Sequence, residues 1–125
     1  MKLYGSLFLA LLFSLSLLFS CNEEDGISCT LEFRTIGLTV IGDSLTDYYT
    51  IRRSNNDTIR SIDFGFEDSY YVVLDDSYQS EIENSQESFE FIGEINDSIV
   101  IQETYVITAD QCHISKISGP SQVTL

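Results

Sequence analysis

Residues 88–108 read SFEFIGEINDSIVIQETYVIT. Two runs rich in Phe, Ile, Val, Thr and Tyr flank Asn96-Asp97. Such side chains suit a pleated, half-buried surface, and Asn and Asp supply the local side-chain to backbone bonds of a turn. The stretch predicts a strand over 88–95, a turn at 96–97 and a second strand over 98–108. Beyond residue 20, Ala109 is the only alanine. No helix is therefore expected in the folded part.

Outward from this stretch, turn chemistry recurs at 42–44, 54–57, 65–69, 75–77 and 83–88. Between the turns lie further candidate strands over 29–41, 48–53, 58–64, 70–74 and 112–118. In the first of these, Leu31 and Phe33 alternate with Glu32 and Arg34, and the phase slips near Ile36-Gly37, which predicts a bulge. About seven short strands at this spacing predict an all-β fold, a single β-sandwich of antiparallel strands.

The N-terminus has a different character. Lys2 is followed by an apolar run from Leu3 to Phe19, the layout of a helical secretory signal peptide over 1–20. A retained transmembrane helix is the competing reading, because the run is near the lower limit of about 17 residues. Leu18-Phe19-Ser20-Cys21 resembles the lipobox of bacterial lipoproteins, although Phe19 stands where that motif has a smaller side chain. The resemblance implies cleavage before Cys21 and lipidation of its sulfur; without it, Cys21 would be an ordinary thiol free to pair. Asn22, Glu23, Glu24 and Asp25 resemble the acidic export signal that follows the lipidated cysteine in Bacteroidota lipoproteins. That implies an outer-membrane address and exposure at the cell surface. Physically, residues 21–28 make a short charged tether.

Residues 29–125 are enough for one domain and too few for two. Removing the signal leaves five basic against twenty acidic residues, a net charge of −15. That surface repels nucleic acid and anionic headgroups and favours basic partners or divalent cations. With Cys21 assigned to the anchor, Cys29 and Cys112 are left to pair, closing a loop of more than eighty residues worth a few kcal/mol. Metal binding by Cys112-His113 would need ligands that the sequence does not offer nearby.

The opening Cys29-Thr30-Leu31-Glu32-Phe33-Arg34-Thr35-Ile36 and the ending Ala109-Asp110-Gln111-Cys112-His113-Ile114-Ser115-Lys116-Ile117-Ser118-Gly119-Pro120 resemble the two ends of small Bacteroidota lipoproteins. Their domains are immunoglobulin-like or prealbumin-like, and some are carboxypeptidase regulatory-like. The resemblance implies a fold and an address, and no activity.

One stretch points elsewhere. Val40-Ile41-Gly42-Asp43-Ser44-Leu45-Thr46-Asp47 resembles the nucleophile block of GDSL (SGNH) hydrolases. Carried over, Ser44 would be the nucleophile, His113 the base, Asp110 its orienter and Asn96 an oxyanion donor. That family's parallel sheet needs helical crossovers of about a dozen residues or more, for which this chain has no room. Gly-Asp-Ser is also ordinary turn chemistry. The catalytic assignment is therefore the alternative only.

Weaker constellations are Asp43 with Asp47 and the pair Asp75-Asp76, which could line a calcium site, although no EF-hand spacing is present and no metal or other cofactor is assigned. Tyr48, Tyr49, Tyr70 and Tyr71 could form a platform for a glycan or peptide; adjacent residues of a strand face opposite ways, so half of them belong to the core.

The resulting expectation is a membrane-anchored lipoprotein of the cell envelope acting as a non-catalytic binding or structural module, with an envelope protein or glycan as partner. An ester hydrolase and an accessory subunit of an envelope complex are its rivals. Substituting Cys21→Ala is expected to move the protein from the membrane to the soluble fraction on cell fractionation; retention in the membrane pellet would count against the lipid anchor.

Overall fold

The computed structural model describes residues 26–61 and 66–125. The signal peptide, Cys21 and the acidic residues 22–25 lie outside the described residues, as do residues 62–64 of the expected strand 58–64 and residue 65 of the turn after it. Among the described residues there are eight strands: β1 Thr35–Ile41, β2 Asp47–Arg52, β3 Asp57–Ile59, β4 Tyr70–Asp75, β5 Gln86–Ile95, β6 Ser98–Ala109, β7 Ile114–Ser118 and β8 Gln122–Thr124. A 3-10 turn, Asp76–Tyr78, leads into a short helix, α1 Gln79–Ile82.

The strands form two sheets, in the orders β4-β1-β8 and β3-β2-β5-β6-β7. All pairings are antiparallel except β1 with β8, which is parallel. The sandwich is thus as the strand spacing predicts, and the β5–β6 pair at its centre is the stretch 88–108 with slightly longer arms. Its turn holds Asn96 and Asp97 at φ 49° and 66°, the left-handed region that Asn and Asp tolerate best among residues with a Cβ.

Phe89 and Phe91 from β5 and Ile101, Tyr105, Ile107 and Ala109 from β6 face inward. Leu38 and Val40 of β1 and Tyr71 and Val73 of β4 meet them from the other sheet. A fully buried side chain of this size contributes roughly 1.5–3 kcal/mol, so this single core dominates the stability. Thr50 also faces inward, and its Oγ1 donates to the Val73 carbonyl at 2.7 Å. One buried hydroxyl is thereby satisfied across the gap between the sheets.

Four expectations are corrected. Residues 29–34 are not strand: Leu31 is fully exposed and Phe33 is 54% exposed, so their alternation has no core to serve. The segment instead crosses the end of the sandwich, held by side chains rather than by a strand ladder. The disulfide Cys29–Cys112 is formed, with Cα atoms 5.3 Å apart. It joins the segments preceding β1 and β7 rather than the first and last strands. Turn chemistry at 75–77 continues into a helical turn, because Asp75 accepts from the Ser77 amide as an N-cap and α1 then turns Ile82 into the core. The last strand, β8, is only three residues long; it pairs with β1 because the chain after β7 crosses to the other sheet.

That crossing depends on Gly119. Its φ is +124°, and a Cβ there would stand 2.4 Å from Tyr105 Cδ1, while the Tyr105 hydroxyl donates to the Pro120 carbonyl at 2.7 Å. The expected bulge is present at Ile36/Gly37, where the Tyr70 ring lies so close that a Cβ would stand 2.2 Å from its Cζ. Gly119→Ala is therefore expected to destabilise the fold by about 2 kcal/mol or more in urea denaturation, since backbone strain and steric overlap act together.

Candidate functional site: an aromatic cleft opposite the disulfide

β1 runs about 20 Å, at about 3.3 Å per residue, from the disulfide end of the sandwich to the far end. At its start Thr35 pairs with Asp75; near its finish the Val40 amide donates to the Ser69 carbonyl. The two ends carry different chemistry.

At the disulfide end the organising group is Asp76. Its Oδ2 accepts from the Arg34 amide at 2.7 Å and lies 2.7 Å from His113 Nδ1, and its Oδ1 accepts from the Ile114 amide at 2.8 Å. His113 Nε2 lies 2.9 Å from Thr30 Oγ1. Both ring nitrogens of the buried imidazole are therefore engaged. Burial alone would push the Asp76 carboxyl up, but the Arg34 and Ile114 amides and the His113 ring together hold it below its ordinary value. Asp110 caps the same turn: the backbone amides of His113 and Cys112 donate to its Oδ1, both at 2.8 Å, and keep its carboxyl below the usual range.

At the far end a cleft of about 300 Å³ is lined by Ser44, Leu45, Tyr48, Phe66, Glu67, Asp68, Tyr70 and Tyr71. The rings are braced. Tyr48 and Tyr71 meet edge-on at 5.0 Å, and Phe66 meets Tyr70 edge-on at 5.2 Å. The Leu45 amide donates to the Tyr71 hydroxyl at 2.9 Å, and the Tyr70 hydroxyl lies 3.3 Å from Thr35 Oγ1. Tyr71 is buried and Tyr48 and Tyr70 are half-buried, so the alternation divides the 70–71 pair as expected. Tyr49 turns to the outer sheet face, where its hydroxyl donates to Glu94 at 3.4 Å and the Arg60 guanidinium stands 5.3 Å from its ring centroid.

Among the described residues the basic side chains are occupied elsewhere. Arg34 pairs with Glu32, Arg52 with Glu81 and Glu87, Arg53 with the buried Glu90, and Arg60 with Asp47. Lys116 donates to Ser121. Glu67 and Asp68 have no such cation among the residues lining the cleft.

The residues of the hydrolase alternative are placed as follows. Ser44 is exposed at the mouth of the cleft. His113 is held by Asp76 and Thr30 at the disulfide end, and Asp110 bonds backbone amides rather than the ring. Asn96 sits in the β5–β6 turn with its amide donating to Thr46 Oγ1 at 2.9 Å. Ser44, Asp110, His113 and Asn96 are thus not assembled into one constellation. Nor are the acidic pairs: Asp47 is tied to Arg60, Asp75 to Ser77 and Asp76 to His113. Among the described residues no three of His, Cys, Asp and Glu group as metal ligands, and no helix is long and apolar enough to cross a membrane.

Sequence reasoning missed Phe66, Glu67 and Asp68 as lining residues, because they lie in a stretch that reads only as a turn, and it missed Asp76 as the partner of His113. Comparison with family models, curated proteins and solved structures finds no match.

Because the Asp76 carboxyl binds its proton less readily folded than unfolded, its stabilisation is present above the unfolded value of 3.8 and is lost as pH falls through the lower folded value. Asp76→Asn is expected to cost about 2–4 kcal/mol at pH 7, since it disturbs a nearly buried, multiply bonded carboxylate. Urea denaturation across pH 2–7, taken as roughly the range over which carboxylates titrate, should also give the variant the flatter acid profile.

Proposed function

We propose that the chain is a lipid-anchored protein of the cell envelope, at the outer membrane and exposed on the surface, whose β-sandwich is a non-catalytic binding module. The observation that carries this reading is the position of the aromatic cleft. The described chain enters at the disulfide end, and the cleft opens at the other, about one strand length away. A tether attached at the first end would present the second to whatever lies beyond the membrane.

The chemistry of the cleft supports binding over turnover. Its lining residues include four aromatics, a serine and two carboxylates, and no histidine. A serine hydroxyl needs a base within hydrogen-bond reach to become a nucleophile, and the sole histidine has both nitrogens engaged at the other end. Braced aromatic side chains with a few convergent polar groups are what a ligand pocket requires. The accessory-subunit reading has no comparable feature of its own in the fold.

The reading is tested by nitrophenyl ester hydrolysis with the full chain in detergent micelles and with Ser44→Ala. Equal traces in both are expected. Turnover that disappears with the Ser44 hydroxyl would replace the binding module by an esterase.

A further inference from the structure

The segment that carries Cys29 is attached to the sandwich differently from the rest of the chain. Among the described residues the core runs from Ile36 to Ile114, with Val123 packed against it, and takes nothing from 26–34. Residues 26–34 form no strand, Ile27 is 64% exposed and Leu31 is fully exposed. Burial therefore does little to hold the stretch up to Glu32 in place. Its ties to the sandwich include the disulfide to Cys112 and the 2.9 Å contact of Thr30 Oγ1 with His113 Nε2. At Arg34 the backbone itself is held, because the Arg34 amide donates to Asp76 Oδ2 and the Arg34 carbonyl accepts from the Asp76 amide at 3.0 Å.

The disulfide is open to exchange chemistry. Cys29 is exposed and Cys112 only partly so, which makes the Cys29 sulfur the one that an incoming thiolate reaches. A dithiol attacks Cys29 Sγ, and Cys112 Sγ leaves as a thiolate. The second thiol of the dithiol then displaces Cys29. The dithiol ends as a disulfide, two electrons pass to the cysteine pair, and the two protons of the dithiol end on Cys29 and Cys112. In the chain-entropy account a disulfide acts mainly on the unfolded chain, so its loss lowers stability without removing a contact from the core.

We infer that the disulfide is a redox latch: reduction by a dithiol frees residues 26–32 from the sandwich, leaves the two sheets folded and opens His113 Nε2 to solvent. The imidazole is 7% exposed in the closed form, with Thr30 on one nitrogen and Asp76 on the other. Release removes the first partner and keeps the second, so the freed Nε2 stays oriented by Asp76. In the lipid-anchored reading the attachment point also moves from Cys29 toward Phe33, which adds roughly 13 Å of extended chain between anchor and sandwich. That consequence rests on the anchor, and the latch does not.

The test uses the full chain in detergent micelles, compared by NMR when oxidised, when reduced with dithiothreitol and after reoxidation. On reduction the Leu31 amide is expected to move to a disordered position, while the Arg34 amide and the Phe89, Phe91 and Tyr105 ring signals stay native. Reoxidation should restore the first spectrum. Cys29→Ser with Cys112→Ser mimics the open form without a reductant, and diethyl pyrocarbonate then reads His113, the single histidine of the chain. Acylation of its ring is expected about tenfold faster or more than in the oxidised parent, in line with loss of a hydrogen bond and its covering segment. An unmoved Leu31 amide, or equal acylation rates, would show that the segment is held without the disulfide and would overturn the latch. Loss of the native Phe89, Phe91 and Tyr105 signals on reduction would overturn it too, by making the bond a staple of the whole fold. The Cys21→Ala variant, which tests the anchor, is expected to give the same NMR and acylation results; a latch present only in the lipidated chain would overturn its independence of the anchor.

Discussion

Phe89, Phe91, Tyr105 and Ile107 stand on one face of the long β5–β6 pair and must be covered, and most of the remaining structure follows from how that is done. A five-stranded sheet cannot be covered by three strands alone. β1 and β4 supply Leu38, Val40, Tyr71 and Val73 over the middle. The short helix α1 turns Ile82 into the disulfide end, and the chain after β7 passes over Tyr105 at Gly119. Removing this inward row from water is the main favourable term, and each covering device is shaped by a local rule: an Asx cap for the helical turn, a glycine where a Cβ has no room.

The polar groups are arranged around the same constraint. Where chain segments cross the end of the sandwich without a strand ladder, Asp76 accepts the amides that would otherwise lack partners and orients His113. The disulfide closes the same corner from outside. Side chains and one covalent bond thus do there what backbone pairing does elsewhere. At the far end the boundary is aromatic. Tyr71 belongs to both core and cleft, packed in the one and set against Tyr48 at the other.

Local chemistry made much of this legible. Alternation and turn residues are properties of a few neighbours, so the β5–β6 pair, the bulge at Ile36-Gly37 and the starts of β2 and β4 could be read from the chain. The strand expected over 29–41 failed in its first part, 29–34, because alternation describes a face without saying whether anything covers it; Leu31 and Phe33 meet solvent. β8 was invisible because three residues carry too little pattern, and its pairing is made by a distant strand. The disulfide was legible by counting cysteines, whereas its place in the segments preceding β1 and β7 was not. His113 and Asp110 have the spacing of a catalytic pair, yet His113 bonds Asp76, 37 residues away in sequence, which no local motif could reveal.

By itself, then, the sequence determined an all-β sandwich, one cysteine pair and a strongly acidic domain, and it set up the expectation of an anchored, exported chain. These are the outcomes of composition, period and count, which need only neighbours. Tertiary structure alone decided which aromatics share a cavity, which carboxylates are left beside them, and which partner the single histidine takes. Those outcomes depend on contacts between residues far apart in the chain, made only when two sheets of unequal width close on one core.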